Sequence, residues 1–424
     1  MPGACCMTIA EKILARAASR TSVKPGEVVT AKIDVAMSHE NADVVLRAFR
    51  EIGLDKVWDP ERIVILFDHR IPAESEKTAI THQRIRNFVA EQGIEHFYDL
   101  KEGICHQVLP ESGLSRPGEV MVGTDSHTTT HGAFGTFATG IGATEMAGVW
   151  ATGELWFTVP ASMRINVTGA FRKCVSAKDL ILKVIGMLGA AGADYRSVEF
   201  RGTTITSMTI ASRMVLTNLS MEMGAKVAFC IPDDKTIAYV RERTREEFTV
   251  LLPDGDAVYA DEIEVDVSDL ASMVACPHSV DNVKPVSEVA GARIDQALIG
   301  SCTNGRLEDL AIAAEVLYGK RVAAGVRLLV IPASRRVYLE AVQKGYVEVF
   351  LRAGGLVLNP GCGPCLGAHQ GLLAPGEVCI STTNRNFKGR MGSPESSVYL
   401  ASPATVACSA IAGAITEPAP GSGQ

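Results

Sequence analysis

The sequence lacks an excess of positive charge. Its 424 residues carry 41 Lys and Arg against 48 Asp and Glu, which gives a net charge of −7. Proteins whose main ligand is nucleic acid usually show the opposite balance, so we expect no nucleic-acid partner. Internal repeats and low-complexity blocks are also missing, and 47% hydrophobic with 21% charged residues is typical of a globular protein. At ~150 residues per domain, this length predicts about three domains.

The sequence also lacks a convincing membrane segment. Glu11 and Lys12 interrupt the apolar start of the chain, so we expect no signal peptide. Residues 396–416 carry no charge over 21 positions, a length that could cross a bilayer. However, six of them are Ser or Thr, and Ser402 followed by Pro403 is typical of a helix N-terminus. We therefore predict a buried helix there and no membrane contact.

Disulfide and nucleotide-binding patterns are absent as well. The 11 cysteines are odd in number and spread along the chain, which does not indicate a disulfide framework and favours a reducing cytoplasm. No G-x-x-x-x-G-K-[ST] occurs, and residues 140–145 (GIGATE) lack the third small residue of G-x-G-x-x-G. We expect that loop to pack a helix closely on a sheet.

Short apolar runs alternate with helical patterns along the chain. Residues 63–67 (IVILF) and 120–122 (VMV) are typical of strands buried on both faces, and residues 76–92 of a helix. This alternation predicts an α/β protein with mostly parallel sheets. A change of pattern near residue 160 and a stretch at 271–285 rich in Ser, Pro, Asp and Asn predict three domains. We place them at residues 1–160, 161–285 and 286–424.

Cys362 and Cys365 form the motif C-G-P-C. Two thiolates at this spacing can bind a metal or cluster, or can form a reversible disulfide as in thioredoxins. A thioredoxin-type site belongs in a compact βαβ domain, whereas this motif lies late in a long chain. Metal or cluster binding, redox chemistry and a plain structural loop all remain open at this point.

A third cysteine, Cys302, stands in the segment 300–305 (GSCTNG), between an apolar strand and a helix. A buried core cysteine is the simplest alternative, but Gly, Ser, Thr and Asn are unusual neighbours for one. Three cysteines suit an iron–sulfur cubane with one iron left open for Lewis-acid chemistry. Zinc held by the three cysteines and His369 is the competing assignment.

Histidines next to carboxylates follow the predicted strands. Asp68-His69 comes after the first buried run, Asp125 and His127 come after the second, and His106 follows a glycine-led segment. A carboxylate beside an imidazole can fix its tautomer and raise its basicity for acid/base catalysis. Any one of these histidines could be structural, but two such combinations at strand ends indicate a site.

Residues 381–392 form a polar loop that contains Arg385 and Arg390. Guanidinium groups bind carboxylates through two hydrogen bonds, so this loop could hold a di- or tricarboxylic acid. A solvated basic loop is the alternative. The Asn and Gly residues around the arginines favour a shaped pocket.

Together these segments resemble the aconitase superfamily, in the large-subunit branch that contains 3-isopropylmalate dehydratase and homoaconitase. The resemblance spans essentially the whole chain and is most specific at residues 300–304, 360–365 and 383–392. It implies three α/β/α domains of the aconitase type around a central iron–sulfur cleft. It also implies one 4Fe–4S cluster per subunit on Cys302, Cys362 and Cys365, with one iron left without a protein ligand.

The resemblance also implies roles for other residues. The acid/base pairs would be Asp68 with His69, His106 with Glu199, and Asp125 with His127. Substrate contacts would come from His39, Ser126, Arg385 and Arg390.

In single-chain aconitases the base that removes the carbon-bound proton is a serine on a fourth domain. A separate small subunit is therefore expected to supply it here. The reaction would be the dehydration and isomerisation of a substituted malate, 2-isopropylmalate to 3-isopropylmalate in leucine biosynthesis. Thr129 and His131 depart from the expected pattern and leave homoaconitate and 2,3-dimethylmalate open. A dithiol redox protein and an RNA-binding regulator are the alternatives from other classes.

Overall fold

The computed structural model describes residues 6–418, in which helices flank four β-sheets. The first 160 residues form two of these sheets. In chain order the elements of this part are α1 (Ile9–Ala17), β1 (Val28–Lys32), β2 (Val35–Ser38), α2 (Ala42–Glu51), β3 (Ile63–Leu66), α3 (Glu76–Gln92), β4 (His96–Tyr98), α4 (Cys105–Glu111), β5 (Val120–Gly123), β6 (Phe137–Gly140), α5 (Ala143–Thr152) and β7 (Glu154–Thr158), with 3-10 helices at Pro60–Arg62 and Ser126–Phe134.

Five of these strands form a parallel sheet in the order β4-β3-β2-β5-β6, and β1 pairs with β7 in an antiparallel ribbon. Strands β3 and β5 are buried throughout, as their continuous apolar runs predict. Since β3, β2 and β5 are parallel neighbours, their carboxyl ends meet at one edge of the sheet. The polar residues that follow these three strands are therefore brought together.

The middle part forms a parallel sheet in the order β10-β9-β8-β11. Val227 and Phe229 of its edge strand belong to the hydrophobic core of the first sheet, so the two parts share a packed boundary. The elements are β8 (Ser162–Thr168), α6 (Ala177–Leu188), β9 (Ser197–Arg201), α7 (Thr203–Ser207), α8 (Ile210–Leu219), β10 (Val227–Cys230), α9 (Asp234–Arg241) and β11 (Asp261–Asp266), with a 3-10 helix at Ser220–Met223.

The last part forms a seven-stranded sheet in the order β13-β12-β18-β17-β14-β15-β16. Only the pairings of β12 with β13 and with β18 are antiparallel. The elements are β12 (Met273–Ala275), β13 (Val283–Pro285), β14 (Gln296–Gly300), α10 (Ser301–Asn304), α11 (Leu307–Leu317), β15 (Arg327–Ile331), α12 (Arg335–Gln343), α13 (Tyr346–Ala353), β16 (Leu356–Val357), β17 (Val378–Ser381), β18 (Ser397–Ala401) and α14 (Pro403–Ala412), with 3-10 helices at Val286–Glu288 and Gly363–Leu366.

The turn from β14 into α10 requires a glycine. Gly300 has φ of 142°, and a Cβ at this position would lie 2.2 Å from the carbonyl oxygen of Ile331 on β15. A larger residue would push the two strands apart. The turn carries Cys302 at the carboxyl edge of the seven-stranded sheet.

The second of the expected domain boundaries does not agree with the sheets. The boundary at residue 160 falls between β7 and β8, whereas the one at 285 assigns β12 and β13 to the middle part. Both strands belong to the last sheet, because β12 pairs with β18. A division by sheets therefore lies between Asp266 and Met273. The Ser- and Pro-rich composition of this stretch reflects short strands, not a linker.

The uncharged segment 396–416 contains a strand and a short helix. β18 occupies Ser397–Ala401 and α14 only the ten residues Pro403–Ala412, of which the first eight are buried. The prediction of one buried helix is thus correct for its second half only. Among residues 6–418, no helix has both the length and the apolar character needed to cross a bilayer.

Candidate active site

Three thiols line one cavity where the carboxyl edge of the seven-stranded sheet faces that of the five-stranded sheet. Cys302, Cys362 and Cys365 are 5%, 7% and 4% exposed and line one small cavity. Burial raises the pKa of Cys302 to about 11 and that of Cys362 well above its usual range. Reactive dithiols are instead partly exposed and have lowered pKa values. The geometry therefore argues against dithiol redox chemistry and suits a metal cluster, whose charge deprotonates coordinating thiols.

The surroundings of the thiols also fit a cluster. The Nδ2 atoms of Asn218 and Asn384 lie 3.4 and 3.3 Å from Cys302 Sγ, and Asn384 Oδ1 lies 3.5 Å from Cys365 Sγ. Amide donors aimed at sulfur stabilise the negative charge of coordinating thiolates. The Cys302 sulfur thus has two amide donors that suit an anionic ligand, whereas the Cys365 thiol donates to the amide oxygen of Asn384.

Two further buried residues bear on the assignment of this site, Lys178 and His369. Fully buried Lys178 donates from Nζ to the carbonyl oxygens of Thr382 and Thr383, next to Asn384, at 2.8 and 2.6 Å. His369 points away from the thiols, with its Nε2 3.1 Å from the carbonyl oxygen of Pro72, and does not line the cavity. The structure therefore gives no support to a zinc site of three cysteines and His369.

The Asp68-His69 pair lies at the end of β3, beside the thiols. Asp68 Oδ1 is 2.5 Å from His69 Nδ1, and Asp68 Oδ2 accepts a hydrogen bond from the backbone N–H of Cys105 at 2.9 Å. Burial opposes protonation of His69, but Cys362 in its thiolate form, the charge of Asp68 and the hydrogen bonds to Asp125 and Asp68 outweigh it and hold the pKa of His69 well above its usual value. His69 is therefore suited to carry a proton.

His39 and Glu40, which follow β2, support this pair. The ring of His39 stacks on that of His69 with centroids 4.1 Å apart. Glu40 Oε1 accepts hydrogen bonds from the backbone N–H groups of His69 and Arg70, at 2.9 and 2.8 Å. Burial would raise the pKa of Glu40, but its contacts with His39 and His69 lower it to about 2. An ionised Glu40 thus orients the loop that carries His69.

Asp125, which follows β5, contacts three histidines. Its Oδ1 lies 2.9 Å from His106 Nε2 and accepts the backbone N–H of His127 at 2.7 Å, and its Oδ2 lies 3.4 Å from His69 Nε2. Burial alone would raise its pKa, but hydrogen bonds from the three histidines hold the pKa of Asp125 well below its usual range. The structure therefore gathers His69, His106 and His127 around one carboxylate.

Glu222, in the 3-10 helix after α8, is a site residue that the sequence analysis missed. Its Oε1 lies 2.8 Å from both His127 Nε2 and Arg385 Nε. Burial opposes its ionisation, but His127 and Arg385 together lower the pKa of Glu222. Apart from Lys226, Glu222 is the only charged residue between positions 214 and 230, and such an isolated acid in an apolar stretch is a usable signal.

The predicted pairing of His106 with Glu199 is wrong. Glu199 lies within β9 instead of at a strand end, and its carboxylate contacts the backbone N–H of Ile9 at 3.0 Å, Arg201 at 2.8 Å and the Tyr259 hydroxyl at 2.7 Å. His106 contacts Asp125 and His131 instead. Glu199 therefore joins α1 to the middle sheet and does not reach the thiols.

A cleft of about 640 Å³ opens beside the thiol cavity. His39, Ser126, Arg385 and Arg390, the four residues expected to contact the substrate, all line this cleft. His69, Asp125, His127 and Arg390 line both the cleft and the thiol cavity. A molecule bound by the two arginines would therefore meet both the histidines and the edge of the thiol site.

The fold and this site define a three-part α/β protein with a three-thiol cavity and an acid/base cluster on facing sheet edges. Residues 11–413 match the model of the aconitase family (aconitate hydratase). The chain is 57% identical over 413 residues to the probable 3-isopropylmalate dehydratase large subunit of Methanothermobacter thermautotrophicus, across 97% of this chain and 99% of the relative.

Two further relatives carry related names. The 3-isopropylmalate dehydratase large subunit 1 of Methanopyrus kandleri is 55% identical over 97% of this chain and 99% of its own. The probable methanogen homoaconitase large subunit of M. thermautotrophicus is 56% identical over 97% of both chains. The chain belongs to the aconitase family.

Proposed function

We propose that the chain is the large subunit of a cytoplasmic iron–sulfur hydro-lyase that converts 2-isopropylmalate into 3-isopropylmalate by dehydration and rehydration. The observation that carries the proposal is the meeting of three buried thiols with the Asp125 histidine cluster and two arginines in joined cavities. The names of two relatives, at 57% and 55% identity, support the substrate. A 56% identical relative named homoaconitase makes homoaconitate the second candidate.

Cys302, Cys362 and Cys365 would hold a 4Fe–4S cluster with one iron free of protein ligands. When bound, such a cluster supplies a Lewis acid for the substrate hydroxyl and carboxylate. Asn218 and Asn384 stabilise the Cys302 thiolate, and Lys178 orders the loop that carries Asn384.

The chain's own residues bind the substrate and supply the proton for the leaving hydroxyl. Arg385 and Arg390 bind its two carboxylates in the cleft, with Ser126 and His39 as further polar contacts. His69 carries the proton that the hydroxyl needs in order to leave as water, and Asp68 and Asp125 stabilise its cationic form. In the rehydration half, a water gives a proton back to His69 and its hydroxyl adds to the neighbouring carbon, while the base returns its proton to the carbon that lost the hydroxyl, so the overall isomerisation balances.

The carbon-bound proton must leave to a base. In this proposal that base is a serine of a separate small subunit, which binds over the cleft. "Large subunit" in the names of the relatives supports such a partner. We propose that the substrate is a small di- or tricarboxylic acid and that neither nucleic acid nor membrane is a partner.

The test is anaerobic reconstitution of the full chain with iron and sulfide, alone and with its small partner. We expect a brown protein that turns over 2-isopropylmalate only as the complex, with homoaconitate and 2,3-dimethylmalate as comparison substrates. Cys302→Ser should remove the chromophore. Full turnover without a partner, or a reversible thiol–disulfide couple with no iron uptake, would contradict the proposal.

A further inference from the structure

A second buried imidazole, His131, lies behind His106 on the side away from Asp125. His131 belongs to the 3-10 helix Ser126–Phe134 and is fully buried. Its Nε2 lies 3.3 Å from His106 Nδ1, and its Nδ1 lies 2.8 Å from Ser115 Oγ. Together with Asp125, these residues form one continuous line of hydrogen bonds through the protein interior.

The ends of this line determine where its protons lie. An ionised carboxylate can only accept, so the 2.9 Å hydrogen bond to Asp125 forms when His106 carries its proton on Nε2, and each partner of the ring contributes to the preference for that tautomer. The Nδ1 atom of neutral His106 is then an acceptor and needs a donor. His131 provides it through Nε2–H, and its own Nδ1 accepts the hydroxyl proton of Ser115. Each ring nitrogen along the line thus has one role.

We propose that His131 and Ser115 form a positioning pair that keeps His106 in its Nε2–H tautomer and directed at Asp125. Because the Ser115 hydroxyl can either donate or accept, the pair can hydrogen-bond to His106 in both of its protonation states. The pair thereby fixes the direction of the hydrogen bond to the carboxylate that also contacts His69 and His127. This role rests on the proposed dehydratase function for its effect on turnover, but its effect on the tautomer does not.

The electrostatics of His131 agree with this role. Burial lowers the pKa of His131 well below its usual value, and the charge of His106 in its protonated form and that of Arg306 lower it further, whereas Asp125 opposes them. His131 therefore stays neutral and adds no charge next to His106. A neutral imidazole can donate at one nitrogen while accepting at the other, as the line of hydrogen bonds requires.

The test combines three variants with one control. His131→Leu removes the donor, His131→Gln restores an N–H near the position of Nε2, and Ser115→Ala removes the hydroxyl. Thr129→Val is the matched control, because its hydroxyl is buried in the same 3-10 helix without a hydrogen-bond partner. Ring-nitrogen NMR of the full-length iron-free chain reports the tautomers, and steady-state kinetics of the reconstituted complex report turnover.

We expect wild-type His106 to be in the Nε2–H form, and His131→Leu to populate both tautomers. In the complex, His131→Leu should lower kcat about tenfold with KM nearly unchanged, and His131→Gln should restore most of it. Unchanged His106 tautomers in His131→Leu, or an equal loss of kcat in Thr129→Val, would overturn the proposal. If the tautomer changes in the iron-free chain but the wild-type complex turns over no malate, the positioning role is supported and the dehydratase assignment is contradicted.

Discussion

At the scale of single residues, the chemistry of the site depends on which carboxylates reach the histidines. Asp68 and Asp125 follow strands β3 and β5 directly, so their position next to the imidazoles follows from the parallel sheet. Glu222 reaches the same cluster from the middle part of the chain through a 3-10 helix. Two glutamates of the middle part thus have different roles, because Glu222 contacts the histidines whereas Glu199 holds α1 in place.

We predict that Glu222→Gln lowers kcat of the reconstituted complex about 100-fold, because the neutral amide no longer stabilises protonated His127 or orients Arg385. Glu199→Gln is the matched control and should keep turnover while it loses the ion pair with Arg201. Iron and sulfide content should be unchanged in both. A greater loss of turnover in Glu199→Gln would show that the assignment of these glutamates is reversed.

At the scale of elements, the 3-10 helix Ser126–Phe134 connects the site to the middle sheet. It carries His127 and His131, and Asp125 is its N-cap. The helix packs directly on β10, where a Cβ at Gly132 would lie 1.6 Å from the carbonyl oxygen of Ala228. This contact lets the middle sheet position the histidines of the first sheet.

We predict that Gly132→Ala destabilises the chain by about 3 kcal/mol and lowers turnover, since the added methyl group must displace the helix from β10. Gly148→Ala is the control, because a Cβ at Gly148 in α5 meets no atom within 4 Å. That change should stabilise the chain by about 0.5–1 kcal/mol through the higher helix propensity of Ala. Urea unfolding measures both effects, and equal midpoints for the two variants would refute the packing argument.

At the scale of the whole molecule, the middle and last sheets share one hydrophobic core. That core includes Leu298, Ile331 and Leu400 of the last sheet together with the apolar face of α6. A buried carboxylate, Asp179 of α6, accepts the backbone N–H of Met273 on β12 at 2.8 Å. The stability of the contact between these two parts should therefore depend on pH.

We predict that the contribution of Asp179 to the free energy of unfolding falls as pH rises from about 4 to 6. Burial raises the pKa of Asp179 from 3.8 to about 6, which the hydrogen bonds from Met273 and Ser176 only partly oppose. The native state then binds more protons than the unfolded chain in this range, so ionisation costs about 3 kcal/mol of stability above pH 6. In Asp179→Asn this fall should be smaller by about that amount, as urea unfolding at several pH values would show.

The control for this measurement is Asp55→Asn, whose side chain is 97% exposed. It should follow the wild-type curve at every pH. Parallel curves for Asp179→Asn and the wild-type chain would show that the buried carboxylate does not ionise in this range.

Local sequence patterns were sufficient to predict many of the helices and strands. The helix predicted at residues 76–92 is α3 without a change of boundary, and the apolar runs at 63–67 and 120–122 are β3 and β5 to within a residue. Their prediction works because helical periodicity and buried parallel strands depend on neighbours along the chain. The boundary at 285 failed because short antiparallel strands such as β12 and β13 have no strong local pattern.

What the sequence by itself determined is the set of groups that local chemistry makes conspicuous: three cysteines, histidines beside carboxylates at strand ends, and two arginines in one loop. These side chains stand out because their types and spacing serve few other purposes. Only the tertiary structure decided that Glu222 and not Glu199 meets the histidines, that His369 turns away from the thiols and that His131 stands behind His106. Each of these contacts joins residues far apart along the chain, or depends on the direction of a single side chain. Packing between sheets sets both, and no local sequence pattern carries that information.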